Sequence, residues 1–374
     1  MQERGISSAA AVAAPSRRAA ASALAVFLLI LAAGLFWAKW DPYVVKTFKV
    51  AADHTLGASI LSGARLAPPA PSVGAAIDYS VAYFKAIWIA LAAALLVAAA
   101  AEALVPRRLL LGLLAGRGAA GGLLGSLVAV PVMMCTCCAS PITVSLRRSG
   151  VPVASALAFW VGNPALNPAV IVFAAFVLPW QWAVLRAVTG VVLVLVTVTV
   201  VAWVAKPGPA GPAETARLRE ALADPGPRGV PDALVRYGRA LGRLSVTLLP
   251  EYLVIVVLLG GFRGWLFPVA HGALGWWGPL AVVLFAIAGT LFVIPTAGEI
   301  PIVQALLKAG VGVAPAGALL ITLPAVSLPS LAMVWRSFPA RVTITLAASV
   351  AVIGILTAIA ALLLLPNAAT GPAI

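Results

Sequence analysis

The strongest constraint on this chain is a series of nine apolar stretches, at about 19–37, 80–104, 119–134, 151–178, 183–205, 246–267, 276–294, 311–335 and 342–365. About twenty apolar residues in helical form cross the hydrocarbon core of a bilayer, and most of these stretches are that long. A soluble fold has no room for them. Of the 374 residues 63% are hydrophobic and 10% charged, whereas globular chains are roughly half apolar and a quarter charged. The expected fold class is an all-α polytopic membrane protein, with the lipid bilayer as its first partner. A formal charge of +14 would suggest nucleic acid in a soluble protein. Here it is assigned to loops that stay cytoplasmic, and no nucleic-acid partner is expected.

Composition along the chain divides it into an N-terminal tail (1–18), an extra transmembrane helix and loop (19–79), a first transmembrane repeat (80–205), a polar cytoplasmic linker (206–245), a second repeat (246–365) and a C-terminal tail (366–374). The linker is rich in Pro, Gly and charge, with one short helix near 213–223. Arg17-Arg18 before the first apolar stretch resembles the start of a signal peptide. The stretch closes on Phe36-Trp37-Ala38-Lys39-Trp40, an aromatic and basic interfacial anchor, so it is read as a retained helix. Lys85, Glu102, Arg186, Glu251 and Arg263 are read as snorkelling near span ends.

A shift of 160 residues lays Pro141-Ile142 on Pro301-Ile302, Gly150 on Gly310 and Pro164-Ala165 on Pro324-Ala325, with eleven of twenty-five positions identical from 141 to 165. Two pseudo-symmetric halves follow from this. Each half holds two backbone breaks inside apolar sequence. They are Cys135–Pro141 and Gly162–Pro168 in the first half, and Pro295–Pro301 and Leu323–Pro329 in the second. The prolines at these breaks, Pro141, Pro164, Pro168, Pro301, Pro324 and Pro329, each remove a donor. Non-helical backbone survives at membrane depth only where it is buried or lines a cavity. Matched broken segments in two halves therefore point to a transport site. If 119–149 and 280–309 are re-entrant hairpins and the N-terminus is inside, most cations fall inside and the halves are inverted. That arrangement has seven crossings, two hairpins and an external C-terminus, with Lys39, Lys46, Lys49 and Lys308 facing out.

The three cysteines, Cys135, Cys137 and Cys138, lie within four residues and form no disulfide framework. Ser140-Pro141 has the form of an N-cap followed by the first helical residue, with Gly150 as the stop. Thiols just before such a helix start can bind a soft metal or metalloid, and three sulfurs suit a three-coordinate thiophile. The bland alternative is small buried packing residues. Asn163 and Asn167 can bind solute or cap broken helix ends. Ser327 occupies the matching break of the second half. Glu299, the deepest acid, is a candidate for proton coupling, or a first-turn acid offsetting its helix dipole.

Three elements resemble the bacterial predicted permeases of the YraQ/ArsP type. They are CTCCASP at 135–141, GEIPIVQALLKAG at 298–310 and PAVSLP at 324–329. The resemblance covers roughly 80–365. It implies a permease, and in arsenic-handling members export of trivalent organoarsenicals with membrane-embedded cysteines, onto which Cys135 and Cys137 fall. Many members carry an acid where this chain has Pro168 and Ser330, which marks it as divergent and leaves Glu299 as the titrating group.

The function expected is an inner-membrane secondary transporter exporting a soft, thiol-reactive small solute, with neither cofactor nor enzymatic step. No phosphate-binding loop sequence is present. The alternatives are a permease for another solute with structural cysteines, or a membrane thiol-redox or Cu(I)-handling protein. A homo-oligomer is compatible with either.

Overall fold

The structure is a computed structural model. It describes residues 17–114 except 64 and 66, 119–205, 226–268 except 228, and 274–365. The terminal tails, the short helix expected at 213–223, Arg117 and His271 lie outside the described residues. Fifteen α-helices occur among the described residues. They are α1 (Arg17–Leu35), α2 (Asp41–Asp53), α3 (Val73–Leu104), α4 (Arg107–Leu114), α5 (Ala119–Ala129), α6 (Thr136–Arg148), α7 (Val153–Ala165), α8 (Pro168–Val177), α9 (Trp180–Val204), α10 (Val230–Leu266), α11 (Leu274–Leu291), α12 (Glu299–Lys308), α13 (Val313–Ala325), α14 (Leu328–Trp335) and α15 (Ala340–Leu364). A π-helical turn, Phe36–Trp40, joins α1 to α2. Among the described residues, 7 helical segments are long and apolar enough to cross a membrane.

At two charged segments helix ends differ from expectation for the same reason. Residues 41–53, read as loop, continue the first helix through the π turn, and residues 230–245, read as linker, are the first turns of α10. Both segments carry charges on exposed faces while their other faces pack on the bundle. Tyr237 and Leu241, for example, pack against the main apolar core.

The first half contains a hairpin. Gly125 of α5 meets the backbone of Ser155, Ser126 Oγ donates to Ala158 O at 3.4 Å, and Gly162 packs on Ser126 and Ala129. Residue numbers rise together, so α5 runs parallel to α7. Trp160 Nε1 donates to Thr136 O at 2.9 Å, while Arg147 Nη1 donates to Val151 O at 2.6 Å. Along this contact the numbers run oppositely, so α6 is antiparallel to α7. The chain therefore goes in along α5, turns at Met133–Cys135 and returns along α6. Small residues let the backbones approach, as membrane helix packing requires. In the second half Gly289 of α11 packs on Leu319 and Thr322, and Ala286 clusters with Ala314 and Ala318. The turn at Phe292–Gly298 then returns the chain along α12.

The hairpins open on opposite faces of the bundle. At the open end of the first, Arg243 pairs with Glu102, Arg336 with Glu251 at 3.8 Å, and Arg147 Nε donates to Ser337 O at 3.5 Å. At the open end of the second, Leu307 packs against an apolar cluster that includes Val177, Leu178, Val313 and Leu365. Both return helices stop in the same way. The N–H of Gly150 donates to Arg147 O at 3.1 Å and that of Val151 to Leu146 O at 3.1 Å; Gly310 and Val311 repeat the pattern on Leu307 and Leu306 at 3.1 and 3.0 Å. This is the Schellman stop, which needs a left-handed residue, and the two glycines have φ of 91° and 77°.

Candidate functional site

The four backbone breaks meet in the middle of the bundle. Cys135 and Thr136 from the first hairpin tip, Pro164 from the α7–α8 break, Thr296 and Glu299 from the second tip, and Ser327 from the α13–α14 break all line one cavity of about 10 Å³. That is room for about one water-sized molecule. Pairs far apart in sequence thus share one polar spot inside an apolar bundle.

Each expected site residue has a definite place. Cys135 is the N-cap of α6, and its sulfur lies 3.2 Å from that of Cys138, one turn along. Cys137 lies beside Cys135 and reaches across to the second half, with Sγ 3.5 Å from Ser327 Oγ. Among the described residues no group of three His, Cys, Asp or Glu side chains can hold a metal ion.

Ser140 is not the N-cap. The helix begins at Thr136, Ser140 Oγ donates back to Thr136 O at 2.7 Å, and Pro141 lies inside the helix. Pro141 has no N–H to give the Cys137 carbonyl, so that turn carries a break without ending the helix. Asn163 ties the first tip to the α7 break. Its Oδ1 accepts from Met134 N at 3.3 Å and its Nδ2 donates to Phe159 O at 2.9 Å. Asn167 caps α8, accepting from Ala169 N and Val170 N at 3.1 and 3.3 Å, with Pro168 in the first turn. Ser327 caps α14 in a reciprocal arrangement with Ser330, with Pro329 in the first turn. Glu299 opens α12, with Pro301 in that first turn, and Pro164 and Pro324 lie at equivalent points near the ends of α7 and α13.

Three cations read as peripheral are buried instead. Arg186 is 1% exposed and does not snorkel. Its Nη2 donates to Pro164 O at 2.7 Å and its Nη1 to Ala165 O at 3.0 Å, satisfying carbonyls freed by the break, and Nη2 also meets Glu299 Oε1 at 3.5 Å. Lys39 is 4% exposed and does not face out. Its Nζ lies 3.2 Å from both Tyr43 Oη and Thr296 Oγ1. Arg263, also buried, donates to Leu61 O at 2.9 Å, Ala75 O and Gly260 O at 2.5 Å each. A charge well inside an apolar run was the available signal for Arg186 and Arg263. For Lys39 the aromatic neighbours masked it. The Tyr83 and Tyr252 hydroxyls, 2.7 Å apart and buried, give no signal in the sequence beyond their polarity.

Seven helical segments long and apolar enough to cross a membrane, with a small cavity where their breaks meet, describe a polytopic membrane protein. A family model described as "predicted permease", of the ArsP type, matches residues 73–363. The chain belongs to that family. It is 45% identical over 344 residues to the protein YraQ of Escherichia coli (strain K12), which covers 91% of this chain and 94% of that protein. No solved structure matches it.

Proposed function

We propose that this permease is a secondary transporter of the bacterial inner membrane that exports a soft, thiol-reactive solute of the trivalent organoarsenical or soft-metal class. The observation that carries this reading is the Cys135–Cys138 sulfur pair, 3.2 Å apart, of which Cys135 lines the cavity where the four breaks meet. Two thiols on one face can take a thiophile by exchange and release it the same way. Cys137 and Ser327 stand beside the pair as further donors for a solute that has entered. Glu299 is the proposed proton-coupling group: Oε1 meets Arg186 while Oε2 is buried without a partner at the cavity wall. Asn163 and Asn167 act chiefly as the clamps of the broken helices.

The two halves are proposed to be inverted repeats. α7 and α13 stand 160 residues apart with equal length, as do α9 and α15. Rocking of one half against the other would open the cavity to alternate faces. The arginine-rich face, with Arg107, Arg108, Arg147, Arg148, Arg243, Arg336 and Arg341, is proposed to be cytoplasmic. No chemical conversion of the solute is part of this reading.

The test is growth of a metalloid-sensitive bacterial host expressing the full chain, challenged with methylarsenite, arsenite, antimonite and copper. Resistance to at least one is expected, lost in Cys135→Ser and Cys138→Ser at unchanged protein level. Unchanged resistance in both variants would reject the thiol site and leave a permease with structural cysteines.

A further inference from the structure

Eight buried side-chain polar atoms among the described residues have no hydrogen-bond partner in the protein, and five of them lie between one end of α9 and the central cavity. They are Gln181 Oε1, Trp182 Nε1, Arg186 Nε, Asn167 Nδ2 and Glu299 Oε2. α9 begins at Trp180, just after Val177 and Leu178, at the end of the bundle away from the arginine-rich face. Gln181 and Trp182 therefore stand in its first turn at that outer end. Arg186 is one turn deeper, about 6 Å along the axis from Trp182. It holds Pro164 O and Ala165 O of the α7–α8 break and meets Glu299 Oε1. Asn167 follows two residues after Ala165. Val170, one turn past Asn167, lines the cavity and belongs to the same apolar cluster as Trp182.

These atoms are deep in the protein. Asn167 and Trp182 are 0% exposed, and Arg186 and Glu299 are 1% exposed. An unpaired donor or acceptor at such depth is costly, and internal water is its usual remedy. Trp160, equally buried, shows the alternative: its Nε1 donates to Thr136 O at 2.9 Å. The stretch offers three donors, on Trp182, Arg186 and Asn167, and two acceptors, on Gln181 and Glu299. An internal water takes about two to four such partners, and a mixed set suits it. An anion here would meet the Glu299 carboxylate, and a cation would meet Arg186 and the three N–H donors.

We propose that a file of water molecules runs along the first turns of α9, from the outer face past Trp182 to the Arg186–Glu299 pair, and brings the outer aqueous phase to the cavity wall. Its role rests on the reading of Glu299 as the coupling group, and it adds the face from which the coupled proton arrives. Its existence does not rest on that reading. Inward passage of a proton from the outer face is the direction that would drive export of solute.

X-ray radiolytic labelling of the full-length chain in lipid nanodiscs tests this with water as the probe. The hydroxyl radicals arise from water, and they oxidise side chains beside it. Peptide mass spectrometry gives the rate at each tryptophan. Trp182 is expected to be oxidised at least about tenfold faster than Trp160, although the two are equally buried. Gln181→Leu replaces the amide at the mouth with an apolar group and is expected to bring Trp182 down to the Trp160 rate, with Trp160 itself unchanged. Equal rates for Trp182 and Trp160 in the natural chain overturn the proposal. So does a fast Trp182 rate that Gln181→Leu leaves alone, which would bring the water by another route. Should Gln181→Leu not be recovered folded, Gln181→Met decides in the same way. No solute is added, so the water file can fail while the thiol site stands. A Glu299 without a coupling role would show instead as an unchanged pH dependence of transport in Glu299→Gln, with fast Trp182 labelling retained in the natural chain.

Discussion

Removing Arg186 tests how the two halves are joined. The side chain donates to Pro164 O and Ala165 O and pairs with Glu299, all at 1% exposure. Arg186→Met keeps the apolar stem and deletes the charge. Two carbonyls lose their donor and a carboxylate is stranded in a low-dielectric interior. Breaking a buried pair by removing one partner costs about 3–5 kcal/mol. At about 2 °C per kcal/mol this lowers the thermal midpoint by roughly 6–10 °C. The assay is thermal unfolding in mild detergent, read as loss of the folded peak on size-exclusion chromatography. The double variant Arg186→Met/Glu299→Gln removes the stranded charge and is expected to recover about half of the loss. Equal midpoints for the single and double variants would show no coupling between these residues and refute the account.

Gly125→Val places its branched side chain against the Ser155 backbone and should cost about 1–3 kcal/mol or more, seen as lost folded yield, whereas Gly112→Val, with open space around it, should be silent. Gly310→Val forces a β-branched residue to a φ of 77° and should lower stability by about 1–3 kcal/mol in the same chromatographic assay. In a background without the native cysteines, Lys308→Cys should react with an impermeant maleimide on intact cells, and Arg148→Cys only after permeabilisation; labelling of both from one side would refute opposed hairpins. Glu299→Gln should abolish the pH dependence of transport in vesicles while leaving thiol labelling unchanged.

Much of the fold can be read in the sequence because proline and glycine act locally. Pro164 and Pro324 mark the ends of two helices of equal length, and Gly150 and Gly310 mark two left-handed stops. Those signals need no knowledge of neighbours. The start of α6 is harder to see, because Pro141 sits inside the helix where the missing N–H costs one bond and the chain tolerates it. The roles of Lys39 and Arg186 are less legible still. A cation near an apolar run's end reads as snorkelling, and only the freed carbonyls of Pro164 and Ala165, or the tip residue Thr296, make burial the better state. Those partners are 21 to 257 residues away in sequence.

The bond from Lys39 to Thr296 spans 257 residues, and it has a consequence for biogenesis. While the first half emerges from the ribosome, its hairpin tip with three thiols has no opposing tip to cover it. The cavity walls from Thr296, Glu299 and Ser327 arrive only with the second half. A truncated or stalled chain thus contains the thiols but only one side of the cavity wall. The two sides of the cavity come together only at the last stage of assembly.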